Sequence, residues 1–200
     1  MRTITVFTML SLDGVMQAPG GPDEDTSGGF AFGGWTAPYA DESFGPVLGK
    51  ELRVPFDLLL GRKTYQIFAG YWPKQTGFIA DPFNKARKYV ASSGGVDLAW
   101  KESVLIDGDV AAKIKALKEE DGPMLQVHGS AGLIQTLLKN GLVDELRLRI
   151  FPVTLGAGKR LFAEGTVPTA FELLDSTVLP TGVILANYKT SGPVRTGLVG

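Results

Sequence analysis

Residues 123–141 read PMLQVHGSAGLIQTLLKNG, and they hold a strand, a glycine-rich corner and a helix in one run. Pro123 to Gly129 opens as a short apolar segment, Met124, Leu125 and Val127, of the length and character of a buried strand. His128-Gly129-Ser130-Ala131-Gly132 turns the chain, with Ser130 at a helix N-cap position. Leu133, Ile134, Leu137 and Leu138 then recur at helical spacing until Asn140-Gly141 stops the run.

Upstream the same rhythm repeats. Phe56 to Gly61 is a short apolar strand, and Arg62 to Gly70 follows as a helix with Tyr65 and Phe68 turned inward. Lys88 to Ser92 and Val104 to Ile106 are further strands, with Pro82 to Lys88 as a helical turn. Asp109 caps a helix bearing Val110, Ile114 and Leu117. Ile4 to Leu12 carries apolar groups on both faces, as a central strand does. Downstream the rhythm changes. Asp144 to Val153 (DELRLRIFPV) alternates, with Leu146, Leu148 and Ile150 on one face and Glu145, Arg147 and Arg149 on the other. Phe171 to Leu179 and Val183 to Thr190, joined through Pro180-Thr181-Gly182, read as an antiparallel hairpin. The sum is an α/β protein of three layers. Its central mixed sheet is mostly parallel, with antiparallel C-terminal strands, and helices flank it. One domain is expected over 1–190, with 191–200 as a polar tail.

Composition narrows the functions. The chain has 200 residues, 44% of them hydrophobic, and 20 basic against 21 acidic side chains, for a formal charge of −1. That balance lacks the basic field of a nucleic-acid binder. With no cysteine and one histidine, thiolate sites, disulfides and multi-histidine zinc sites are excluded, so no metal is expected. MRTITVFTML is interrupted by threonines and closed by Asp13, so it reads as a strand and not as a leader or span. No membrane partner and a cytoplasmic location are expected.

Candidate chemistry sits at strand ends. Gly61-Arg62-Lys63-Thr64 places two cations and a hydroxyl at a helix N-terminus, where anions are favoured and cations are not. Gly129-Ser130-Ala131-Gly132 lets a diphosphate approach backbone amides; a plain N-cap is the alternative. His128 reads either as a structural residue at a strand end or as a functional one. Asp13 ends the presumed central strand, where open α/β sheets bind ligands. The long aperiodic stretch from Gly14 to Tyr39, with Phe30, Phe32, Trp35 and Tyr39, reads as a loop that packs over a site. The dinucleotide fingerprint and the P-loop are both absent: Gly156-Ala157-Gly158 is followed by Lys159-Arg160-Leu161.

In this order the pieces resemble the dihydrofolate reductase-like superfamily, on the branch of the C-terminal reductase domain of bacterial riboflavin biosynthesis enzymes. The matching residues are Ser11-Leu12-Asp13-Gly14, Leu60 to Tyr65 (LGRKTY), Gly129 to Leu133, and the block from Leu142 to Phe162. The resemblance implies a reductase that uses NADPH to deliver hydride to a small, heterocyclic C=N or C=O substrate, as in the 5-amino-6-(5-phosphoribosylamino)uracil or pterin reductases. Cofactor phosphates would then lie on Gly61, Arg62, Lys63 and Thr64, and the adenosine 2′-phosphate near Ser92 and Ser93. The pyrophosphate would rest on Gly129, Ser130, Ala131, Gly132 and Leu133. Asp13 would be the catalytic carboxylate and, with Trp35 and Tyr65, would face the substrate. A homodimer through the C-terminal strands is expected. The competing reading is a non-catalytic small-molecule binding protein on the same fold.

Overall fold

The computed structural model describes residues 1–199, and its frame is one eight-stranded sheet in the order β4-β3-β2-β5-β1-β6-β8-β7. Strand β1 (Ile4–Ser11) lies near its centre, parallel to β5 (Met124–Val127) on one side and β6 (Glu145–Phe151) on the other. Helices cover both faces of β1, and seven of its eight residues are buried, which is why its apolar groups do not alternate. β2 (Phe56–Gly61) links β5 to β3 (Lys88–Ala91), and β4 (Ser103–Ile106) closes that edge; all these pairs are parallel. β7 (Ala170–Val178) and β8 (Ile184–Gly192) pair antiparallel, and β8 pairs antiparallel with β6. β8 therefore runs to Gly192, two residues into the stretch expected to be tail.

Five helices connect these strands: α1 (Phe44–Leu52), α2 (Arg62–Tyr71), α3 (Ala80–Lys85), α4 (Val110–Glu119) and α5 (Ala131–Lys139). Ile114, Leu117, Leu133, Ile134 and Leu137 seal one face of the sheet against Ile4, Val6 and Leu125. Asp109 caps α4 by accepting from the Ala112 N–H at 3.0 Å. Arg2 ties the start of β1 to its neighbours, with its guanidinium bonded to Asp57 and to the Pro123 carbonyl at 2.8 Å. Among the described residues no helix is long and apolar enough to cross a membrane.

The 14–39 stretch is ordered by its own packing. Trp35 donates from Nε1 to the Gln17 carbonyl at 2.8 Å and sets its ring edge-on to Phe151 at 5.3 Å. Gln17 donates to the carbonyls of Asp25 and Ser27, both at 2.9 Å, and accepts from the Lys159 N–H at 3.0 Å. One buried amide side chain thus pins the 25–27 segment of the loop to its start and to the turn at Lys159. Each bond exchanges a water contact for a protein contact, worth about 1 kcal/mol net.

Candidate active site

The C-terminal ends of β2 and β5 bring two glycine corners into contact. The Gly61 N–H donates to the Gly129 carbonyl at 3.1 Å. A Cβ on Gly61 would lie 2.6 Å from Ser130 Oγ, and one on Gly129 would lie 2.5 Å from Thr64 Oγ1. Gly129 has φ +145°, which side chains rarely adopt, so only glycine allows this approach. Ser130 occupies the N-cap of α5, as expected, but does not cap it. Its Oγ accepts from the Thr64 N–H and hydroxyl, both at 3.3 Å, and so serves the first turn of α2. Neither N-cap side chain caps its own helix, and among these amides Ser130 takes only the Thr64 N–H, so the two helix N-termini open toward one place.

From this corner a cleft of about 400 Å³ runs between α1, α2 and the 14–39 loop, with β1, β5 and β6 as its floor. Lys63, Thr64 and Gly129 to Gly132 line its mouth. Deeper in, Phe7, Phe68, Trp72 and Phe83 form an aromatic wall with His128. The Phe7 and His128 rings stack at 5.4 Å, and Phe83 sits 5.3 Å from the histidine. Desolvation first, and the nearby Arg149 charge second, hold the His128 imidazole down to about 3, so it is neutral at physiological pH. His128 Nε2 is 3.2 Å from Gln126 Oε1, which fixes the ring's orientation.

Two charged elements were not foreseen as site residues. Arg149, on the polar face of β6, is 5% exposed because α1 covers that face and sets Glu51 against it in a direct ion pair. The periodicity of DELRLRIFPV placed Arg149 on the correct side of the strand but could not report a partner 98 residues away. The second element is the 14–39 loop, which brings Glu24 to the cleft and meets there Lys159 from the turn after β6. Lys159 binds Asp25 at 2.6 Å, whereas Glu24 accepts from backbone amides, the Gly20 N–H at 2.6 Å and that of Gly21, and from no cation among the described residues. Burial pushes the Glu24 carboxyl up, against the pull of its backbone bonds.

Several expected site residues lie elsewhere. Asp13 does not line the cleft. Its carboxylate accepts from Ser11 Oγ at 2.6 Å and from the N–H groups of Leu155 and Gly156 at 3.1 and 2.8 Å, with Arg160 beside it. The Ser11 bond and then the Leu155 amide lower its pKa to about 2, so it holds no proton to give near neutrality. It clamps the 153–160 turn onto the end of β1. Tyr65 is turned into the core, where its hydroxyl accepts from the Trp100 N–H at 3.1 Å. Trp35 packs under the loop, and Leu133 packs into the core. Ser92 is buried and donates to the Gly95 carbonyl at 3.1 Å, while Ser93 is exposed. Arg62 reaches that same turn: its Nη1 is 3.1 Å from the point a Cβ on Gly94 would occupy.

Because Asp13 is ionised more readily in the folded protein than its ordinary value of 3.8, its contribution to stability is complete above pH 4 and is lost as pH falls toward 2. Urea unfolding of wild type and Asp13→Asn is expected to differ at pH 7 and to converge as the pH drops through that window. Parallel curves throughout would contradict the clamp.

A mixed sheet of this order, with its cleft at the parallel strand ends, is the arrangement of the dihydrofolate reductase-like α/β proteins. The model of the RibD C-terminal domain family matches residues 2–185, and the chain belongs to that family. It is 29% identical over 144 residues to the uncharacterized protein YyaP of Bacillus subtilis (strain 168), which is 68% of this chain and 74% of that one. Its fold is shared with dihydrofolate reductase from Enterococcus faecalis, solved with NADP(H) (TM-score 0.59, 12% identity, 94% of this chain and 96% of that one). It is shared equally with the Thermotoga maritima diaminohydroxyphosphoribosylaminopyrimidine deaminase/5-amino-6-(5-phosphoribosylamino)uracil reductase (TM-score 0.60, 14% identity, 95% of this chain and 57% of that one).

Proposed function

We propose that the protein is an NADPH-dependent reductase of a small heterocyclic C=N or C=O compound. The observation that supports this most is the meeting of the Gly61 and Gly129 corners, where two helix N-termini, neither capped by its own N-cap side chain, face one place beside Lys63. Amides and helix dipoles of this kind suit a diphosphate. Arg62 beside Ser93 and Gly94 gives an exposed cation and hydroxyl for a further phosphate. Thr64 and Ser130, hydrogen-bonded to each other at 3.3 Å, hold the two corners together.

When bound, the dihydronicotinamide supplies a hydride, two electrons and one hydrogen, to an electron-poor carbon. The chain does the rest. The aromatic wall of Phe7, Phe68, Trp72 and Phe83 flattens a planar substrate and excludes water. The heteroatom left negative by hydride arrival needs a proton. Glu24 is assigned that role in place of Asp13, because it faces the cleft and has no basic partner within 4 Å among the described residues. His128, held neutral, orients the ring through Gln126 and gives up no proton. We further propose a homodimer through the C-terminal strands, since β7 is an edge strand that leaves Leu174 and Val178 exposed.

NADPH at about 100 times its Kd is expected to raise the unfolding free energy by about 2.7 kcal/mol, read as a higher Tm. Replacing Arg62 and Lys63 by Ala should weaken NADPH more than NADH. Absence of any shift with either nucleotide would leave the small-molecule binding protein as the better reading. Light scattering on the same sample reports the dimer.

A further inference from the structure

Charge pairing limits what the inner half of the cleft accepts. Three cations and three carboxylates line the whole cleft: Lys63, Arg149 and Lys159 against Glu24, Asp25 and Glu51. Lys159 is bound to Asp25 Oδ2 at 2.6 Å and to Ser27 Oγ at 2.8 Å. The Arg149 guanidinium is bonded to Glu51 and, through Nη1, to the Arg147 carbonyl at 2.8 Å, and it lies over the Phe7 ring at 5.4 Å. Arg147 behind it adds no free charge, being 3.1 Å from Glu145 and 4.0 Å from Glu51. Only Lys63 is without a carboxylate partner among the described residues, and it stands at the glycine corners, on the first turn of α2. An anionic group on a substrate lodged against Phe7, Phe68 and Trp72 would lose its water, find no free cation and face the Glu51 carboxylate.

We propose that Glu51 determines specificity: by occupying the donors of Arg149 it makes the inner cleft take a neutral planar ring and reject the phosphorylated form of the same ring. This rests on reading the cleft as the substrate site beside the cofactor corners. Glu51 acts through Arg149, so its effect is on which substrate binds and not on the hydride step. With that carboxylate neutralised, the guanidinium becomes a buried cation in need of a partner, and an anionic ligand can supply one.

Naphthol and naphthyl phosphate, a neutral ring and the same ring carrying a phosphate whose second pKa is about 6, separate the possibilities by calorimetric titration at neutral pH. Both are titrated into wild-type protein whose corners are first saturated with NADP⁺. The ester is expected to bind at least about tenfold more weakly than the naphthol, a difference of about 1.4 kcal/mol. In Glu51→Gln the gap is expected to close to about threefold or to invert, and in Glu51→Gln/Arg149→Gln to reopen. Equal or tighter binding of the ester by wild type, no binding of naphthol, or a folded Glu51→Gln protein that keeps the wild-type gap would each overturn the inference. A wild-type ratio that favours the ester overturns the inference even if the variants do not fold. The NADP⁺ titration reports separately on the cofactor reading: bound NADP⁺ with the wrong probe ratio sinks only the role of Glu51.

Discussion

Glu24→Gln is expected to turn over about 100-fold more slowly than wild type while binding NADPH with unchanged affinity, the usual scale for losing a positioned general acid. Three carboxylates reach the cleft, and two are committed: Asp25 to Lys159 and Glu51 to Arg149. Although burial opposes it, the Lys159 and Ser27 bonds lower the Asp25 pKa, and the Glu51 carboxylate is engaged by the Arg149 guanidinium. Burial raises the Glu24 pKa against the pull of the Gly20 and Gly21 amides, so it keeps a proton at higher pH than an exposed glutamate does. Glutamine keeps the shape and an acceptor for the Gly20 N–H but cannot deliver a proton. The measurement follows NADPH oxidation over a panel of C=N and C=O heterocycles, then compares kcat and its pH profile for the best of them. Wild-type turnover should fall as pH rises and Glu24 ionises, and the variant should lack that limb. An undiminished kcat would move the proton source to water.

Gly61→Ala is expected to weaken NADPH binding about 100-fold and to lower stability by about 1–3 kcal/mol, the cost of overpacking. Its φ of −74° is ordinary, so the effect is steric and not conformational. The added methyl would lie 2.6 Å from Ser130 Oγ, 2.9 Å from its Cβ and 3.0 Å from its backbone N, so no rotation of the serine relieves the contact. The two corners must part. That displaces the first turn of α5 from that of α2 and loses the equivalent of one charge-assisted hydrogen bond, worth about 1.5–3 kcal/mol. Ser130→Gly on the same background removes the Oγ and Cβ conflicts but leaves the 3.0 Å contact, so only partial recovery is expected. Fluorescence titration of NADPH and urea unfolding read the two effects separately. Wild-type affinity in Gly61→Ala would show that the corners do not hold the diphosphate.

Local pattern was enough for the scaffold. The helical spacing of Leu133, Ile134, Leu137 and Leu138, the two-faced β1 and the hairpin ending in β8 each depend on neighbours a few residues apart, which a chain displays directly. The glycine corners were legible for the same reason, since a strand end, a glycine and a helix start are contiguous. The site's electrostatics were not. Asp13 stands at the end of β1 as expected, but amides from 155 and 156 and the Arg160 guanidinium, more than 140 residues away, convert it into a clamp. Tyr65 and Trp35 have the right chemistry for a pocket wall, yet burial turned them to other neighbours, whereas Glu24, Glu51 and Arg149 entered the cleft from three distant segments. The amino-acid sequence by itself determined the order of strands and helices and the two anion-ready corners, because backbone propensity and apolar period are local. Which charges face the cleft, and which of them cancel, was decided only by tertiary structure, because an ion pair depends on distance in space and the chain records only distance along itself.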